Sequence, residues 1–502
     1  MDLTFQKNTI SYLQALVSQV NTREETTEIV VPDDAPDIGR VISAWAIPTV
    51  RSKESQAGTM RVSGGIRVWV LYAPMDGSDP KSLGAYLPFS MKWELPHGAY
   101  DGAVRVTCRM QSVDARMSGA RKLLVRATVA CLGEVYGQSE AEFYTLPEPP
   151  DELEVLQQKL PLTLPAEMAE KTFQLDEVLD IPAGTPAVES IVACQLHPTI
   201  NDSKVLGEKA VFKGNCALHL VYMTPEGRLA VWDYSLPFSQ YTELARHYEQ
   251  DEATHCIPLL TEIELEPEEN GQGLRLRCEM TVQCTVLCRH SLELVTDMYS
   301  LHHQLTPQSE TIPLRTQLDH QSLRQIAELS FPIHGATMID CTVLPGFPKV
   351  SRPGDSAVIE APVWCTMMYY DENGALQGRQ SRGMSTREIA LAAGCPCHVG
   401  CQVSGPMQWV PDGSGLTMRV PLELTADSYS DQELTMLRGA VMGEKSLPSA
   451  DRPSIIVKAM TDEDTLWSLA KTNGSTVDAI RKANRLKPGA PESGALLLIP
   501  VL

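Results

Sequence analysis

The sequence predicts a mainly β protein: tandem antiparallel β-sandwich-like domains followed by a small module of order β-α-α-β. Three observations predict it. Apolar residues alternate with a period of two over short runs bounded by turn dipeptides, a pattern of prolines, glycine and tyrosine recurs 150 residues on, and from Ser454 the periodicity becomes helical.

In the first repeat Val62, Ile66, Val68 and Val70 alternate. In the second, Ile263 and Leu265 do so, then Leu274, Leu276, Cys278, Met280 and Val282; in the third, Met418, Val420, Leu422 and Leu424. Such runs are half-buried strands. Between them Asp76-Gly77, Asn270-Gly271, Asn373-Gly374 and Asp412-Gly413 suit the positive φ of tight hairpins. The repeat aligns Val31-Pro32, Pro36, Val41-Ile42, Pro48-Thr49, Gly64 and Tyr72 with Ile181-Pro182, Pro186, Ile191-Val192, Pro198-Thr199, Gly214 and Tyr222 without a gap. One residue out of step, Leu87-Pro88-Phe89-Ser90 then matches Leu236-Pro237-Phe238-Ser239. A third copy is fainter: Met338-Ile339, Pro345, Val363 and Tyr369 fall in place, but the Leu-Pro-Phe-Ser element is absent and Ala361 replaces the glycine. Strand ends and close packing suffice to explain the repeated prolines and glycine.

The expected plan is an N-terminal segment with the first β domain at 1–145, a linker at 146–170, a second domain at 171–305, a divergent third at 306–443, a linker at 444–453 and the small module at 454–502. The proline-rich Leu146 to Asp151 and the acidic stretch to Gln158 read as a linker with a turn or two of helix, and Thr306 to Ser322 as a similar break. Ile10, Leu13, Leu16, Val17 and Val20, three or four apart, predict a short amphipathic helix packed on the first domain.

A chain of 502 residues has room for about three to five domains. Its 42 Lys and Arg against 63 Asp and Glu give a net charge of −21, which repels phosphate backbones and anionic lipid and argues against nucleic-acid binding. No window approaches the roughly 18 apolar residues of a membrane span, and the first 25 residues lack the pattern of a secretory signal, so an intracellular protein is expected. The 13 cysteines then read as reduced, mostly buried thiols. Cys395, Cys397, His398 and Cys401 have the residue types of a zinc site. In an extended strand, however, Cys397, Val399, Cys401 and Val403 share one face, as do Cys278 to Cys288 by the same parity, and no second Cys-x-x-Cys lies nearby. The core reading is preferred, and metal binding stays open.

From Ser454 the order is a strand at Ile455-Ile456-Val457, a helix from about Asp464, a break at Asn473-Gly474, a helix from about Thr476 and a last strand at Leu496 to Ile499. Asp464 and Thr476 are N-cap candidates. Leu466, Leu469 and Ala470, with Val477, Ile480 and Ala483, have the spacing of buried faces, and Pro488-Gly489 stops the second helix. At Asp464 to Lys471, Thr476 to Asn484 and Leu498-Ile499-Pro500 the module resembles a LysM domain. The resemblance implies a groove for N-acetylglucosamine polymers such as peptidoglycan, between the loop at Thr461 to Thr465 and the one at Asn484 to Ser493. It places a partner or glycan site on Asp462, Asp464, Thr465, Trp467, Asn484, Arg485, Leu486 and Lys487. Here Thr461-Asp462-Glu463-Asp464 replaces the family's Pro-Gly-Asp. Trp467 can stack on a sugar, anchor a protein or pack beneath the loop. Lys482, Arg485 and Lys487 can meet an acidic partner or complement a helix C-terminus.

Val31-Pro32-Asp33-Asp34-Ala35-Pro36-Asp37-Ile38, the Gly64 to Tyr72 strand, and their repetition ahead of this module resemble the SPOCS domains of SipL-like spore coat assembly proteins. That resemblance implies a non-enzymatic scaffold in the mother-cell cytosol. It would tether coat proteins to the forespore surface, its LysM module docking the coat morphogenetic ATPase. The residues agree in offering no phosphate loop, no His-Glu-x-x-His helix and no Gly-x-Ser-x-Gly elbow. His302-His303, His97 near Asp101, and the pair Glu262 and Glu264 read as solvated surface, and no cofactor is expected.

Overall fold

The computed structural model describes residues 2–96, 102–250, 252–268, 271–352, 356–390, 397–413, 415–445, 453–486 and 494–502. The first repeat comprises β1 (Asp2–Thr4), β2 (Gln6–Val30), β3 (Ile38–Gln56), β4 (Thr59–Pro74), β5 (Lys81–Glu94), β6 (Ala103–Gly119) and β7 (Lys122–Thr145). In the second follow β8 (Leu153–Asp180), β9 (Ser190–Met223), β10 (Leu229–Tyr248), β11 (Ala253–Pro267) and β12 (Gly273–Ser300). The third has β13 (His303–Phe331), β14 (Thr337–Pro345), β15 (Lys349–Ser351), β16 (Ser356–Tyr370), β17 (Leu376–Ala390), β18 (Cys397–Val403), β19 (Gln408–Asp412) and β20 (Gly415–Lys445). The terminal module is β21 (Ile455–Ala459), α1 (Leu466–Asn473), α2 (Val477–Asn484) and β22 (Leu496–Pro500).

The protein is mainly β, and each repeat is a sandwich. Sheet β3-β4-β5 covers β2-β7-β6, β9-β10 covers β8-β12-β11, and the β14-β16-β17 sheet covers β13-β20 with β18 and β19. The repeated residues have a packing reason. Gly64 and Gly214 lie so close to the Thr49 and Thr199 carbonyls that a Cβ would sit 2.0 and 2.1 Å from those oxygens, and 2.9 and 2.5 Å from the rings of Phe89 and Phe238. Those rings belong to the Leu-Pro-Phe-Ser elements, directly across the ladder. In the third repeat Ala361 pairs with Ser385, so loss of the ring accompanies the added methyl. Tyr72 and Tyr222 likewise donate to the carbonyls of Pro36 and Pro186, at 3.1 and 3.0 Å.

Three sequence expectations are corrected. Residues 6–30 form strand β2 rather than a helix, β8 occupies most of the expected linker, and β13 runs through the expected break at Thr306 to Ser322. All three err for one reason. In β2 the inward face changes from even residues (Ile10, Tyr12) to odd ones (Val17, Ile29) across a bulge between Ala15 and Val17, so the apolar spacing imitates a helix. Equivalent irregularities fall between Pro165 and Glu167 in β8 and between Gln317 and Asp319 in β13. Before each bulge the strand leaves its own sandwich and, with the far half of β7, β12 or β20, forms a two-stranded ribbon. The ribbons bury Tyr12 and Phe143, Leu162 and Leu294, and Leu314 and Met436 against one another as a stem about a pseudo-threefold axis. Strand β1 pairs with β20, so the chain's first strand joins the third repeat's sheet.

A second axial junction joins Ile42, Trp45 and Leu71 to Val192, Val221 and Met223 and to Met368 and Leu376. Between it and the stem lies a chamber of about 1990 Å³, lined by all three repeats. The sheet edges β6, β11 and β18 border it, and side chains satisfy the free backbone groups of β6. Gln283 both accepts from Val106 N–H and donates to its carbonyl, at 2.9 and 2.8 Å, and Lys53 donates to the Val104 carbonyl. Buried Arg105 reaches Glu134 with two bonds of 2.7 and 2.9 Å, and also Tyr136 and Thr285. Burial works against the Glu134 carboxylate, but Arg105 holds its pKa below the ordinary value. The inward faces Cys278 to Cys288 and Cys397, Val399 and Cys401 lie on cores as expected, while His398 points the other way. Strand parity thus separates the zinc-type residues, Cys395 lies outside the described residues, and no metal-competent cluster occurs among the described ones. His97, Asp101 and Asn270 also lie outside them.

Between the second and third repeats, His219 donates to Asp233 and Asp340 at 2.6 and 2.8 Å. Burial lowers its pKa, yet the two carboxylates outweigh this and push it up to about 10. A raised pKa stabilises the fold fully below the unfolded value of 6.5 and ceases to do so as pH passes about 10. The stability lost in His219→Gln, about 1–3 kcal/mol at neutral pH, is therefore expected to shrink steadily from pH 7 to 10 in denaturant titrations. A constant difference would remove the ion pair from the interface. Gly214→Ala is expected to cost about 1–3 kcal/mol through overpacking, read as a lower melting temperature. An unchanged melting temperature would mean that the Thr199 backbone yields freely.

Candidate functional site

The terminal module folds around Leu466, Leu469, Ala470, Ile480, Leu497 and Ile499, with Met460 beneath the first loop. Thr465, rather than Asp464, caps α1: its hydroxyl accepts from Ser468 N–H while the Ser468 hydroxyl accepts from Thr465 N–H, a reciprocal capping box. Thr476 caps α2 as expected, Gly474 ends α1 with φ +62°, and Ala483 is exposed rather than buried. Arg485, at φ +53°, ends α2, and Pro488 and Gly489 lie outside the described residues.

The expected groove residues divide by what they do. The Asp464 carboxylate accepts from the Thr461 amide and hydroxyl and from Lys458, which together hold its pKa below the ordinary value. The Asn484 side chain bonds both the N–H and the carbonyl of Leu498, fixing α2 to β22. Thr465 is the cap, and Leu486 packs partly against the module core. Asp462 and Arg485 are exposed, and Lys487 lies outside the described residues. Most of the polar equipment of the first loop is therefore committed to holding the module together.

Trp467 faces the β body. Its indole N–H donates to Asp297 at 2.8 Å, and its ring meets Tyr299 edge-on with centroids 4.9 Å apart. Lys471, one turn along α1, bonds both Asp297 oxygens at 2.7 and 2.8 Å, and the Tyr299 hydroxyl donates to the Ser475 carbonyl. Asp297 and Tyr299 stand near the outer end of β12, so the module is seated on the stem of the second repeat. No local signal in the sequence marks this seat, because its partners are some 170 residues apart.

The opposite face of the module is open. Ile455, Val457, Leu496 and Leu498 are 57, 62, 72 and 42% exposed, and Val457 lies directly across from Leu498. The sequence reading missed this surface, although it held a signal: Ile455-Ile456-Val457 and Leu496 to Ile499 are apolar at every position, while the two helices cover one face of a two-stranded sheet.

Replacing Asp297 by Ala removes three bonds to the module at once and is expected to loosen it. Faster hydrogen exchange in α1 is the readout, and an unchanged rate would show that the aromatic contact alone holds the seat. No curated protein and no solved structure matches the chain. Residues 461–500 match the family model of the LysM domain, and the C-terminal module is a LysM domain.

Proposed function

We propose that this chain is a non-enzymatic scaffold for spore coat assembly: SPOCS-type β repeats hold coat proteins, and the LysM module docks a coat morphogenetic ATPase. It would act in the mother-cell cytosol at the forespore surface. The apolar outer face of β21 and β22 carries the reading. Four large aliphatic side chains exposed together on so small a module favour docking of a protein. A sugar polymer would need hydrogen-bonding side chains that Asp464, Thr465 and Asn484 already use internally. The module carries six basic against five acidic residues, leaving −22 on residues 1–453, which keeps the body away from anionic polymers.

A second reading, a peptidoglycan-binding anchor, is favoured by the LysM match itself and by the exposed Asp462 and Arg485 at the two groove loops. One experiment separates them. Full-length protein and the Val457→Glu/Leu496→Lys variant are tested for capture of the purified ATPase and for sedimentation with insoluble peptidoglycan. Capture lost in the folded variant, with no sedimentation of either chain, is expected. Strong sedimentation of both chains, with no ATPase captured, would make the protein a wall anchor instead.

A further inference from the structure

The axial chamber has no part in the docking reading. Its wall includes the three edge strands: Arg105, Thr107 and Arg109 on β6, His255, Ile257 and Leu259 on β11, and His398, Gly400 and Gln402 on β18 line the chamber. Val106 between them is wholly in a core, while Cys256 and Cys401 pack into cores and also meet the chamber. The nine residues make three rungs around the axis. Arg105, His255 and His398 form the first rung, where Glu134 neutralises the arginine and burial holds the His398 imidazole below its ordinary pKa.

Arg109, two rungs along, is different. Its guanidinium lies 5.0 Å over the Phe347 ring and, among the described residues, gives one hydrogen bond, 3.3 Å long, to the Gly346 carbonyl. Burial lowers its pKa, and the group that opposes this is the Cys401 thiol rather than a carboxylate. Leu259 shares its rung, and Met110, Pro345, Phe347 and Val350 add apolar wall. A guanidinium in a cavity is stable when an anion completes its hydrogen bonds. The volume, about 1990 Å³, exceeds the roughly 300–1,000 Å³ of most small-molecule pockets, so there is room for a long ligand.

We propose that the axial chamber binds a single-headed anionic amphiphile, its carboxylate or phosphate on Arg109 and its apolar chain along Leu259, Pro345 and Phe347. Nothing in this depends on what the LysM module docks.

The test uses the full-length chain and a fluorescent fatty acid, cis-parinaric acid, below its critical micelle concentration. Saturable binding near one site per chain is expected, weakened roughly 10- to 100-fold in Arg109→Met and similarly for the methyl ester on the native chain, as loss of a charge-assisted bond implies. Thr107→Trp, which narrows the chamber without altering the cation, should weaken binding too and carries the test if Arg109→Met does not fold. Competition by oleate and by oleoyl lysophosphatidic acid tells a carboxylate from a phosphate headgroup, whichever displaces the probe at lower concentration. A folded native chain with no saturable binding would overturn the proposal. So would equal affinity for acid and ester, unchanged binding by folded Arg109→Met, or failure of both competitors.

Discussion

The mutual burial of three two-stranded ribbons is the constraint on which the architecture rests. A two-stranded ribbon with one apolar face cannot hide that face by itself. Here each ribbon uses the other two: Tyr12 and Phe143, Leu162 and Leu294, and Leu314 and Met436 form one core to which every repeat contributes. The sandwiches have cores of their own, but their arrangement around one axis follows from this shared stem and from the junction of Trp45, Val221 and Met368. The single chain thereby builds what a symmetric trimer would build, with freedom to differ at each equivalent position.

That freedom is visible at the chamber. Equivalent places on β6, β11 and β18 hold Arg105, His255 and His398, and their cross-strand partners are Glu134, Thr285 and Asp427. An identical ring would crowd three arginines and three carboxylates into one place. Divergence instead yields one complete ion pair, with a hydroxyl and weakly basic imidazoles around it. The same closure disposes of one sheet edge, since bringing β6 against the second repeat lets Gln283, with Lys53 from its own repeat, satisfy groups that would otherwise invite another strand.

The terminal module is tied to this body by a different kind of contact. An indole and an ammonium share one carboxylate, Asp297, beside an edge-on aromatic pair. Such a seat is small and polar at its rim, and it orients the module so that the α1 face is covered while the apolar sheet face stays open. The proposed docking surface is thus one that the helices do not reach and the body does not cover.

Period-two alternation determined the sandwich strands, and the recurrence of Gly64 and Tyr72 at Gly214 and Tyr222 determined that they are repeated, because both signals reflect contacts within one unit. The β-α-α-β module was legible for the same reason: caps, helix spacing and turn residues act over a few positions. The stem was not. Bulges near residues 16, 166 and 318 reverse the inward face in mid-strand, and the apolar residues before them are buried only by other repeats, so helix and linker were the natural readings. Trp467 could be named from the sequence but not oriented, since Asp297 and Tyr299 come from a distant strand. Only the tertiary structure could decide the chamber, Arg109 within it and the face the LysM module presents, because each depends on where separate repeats meet.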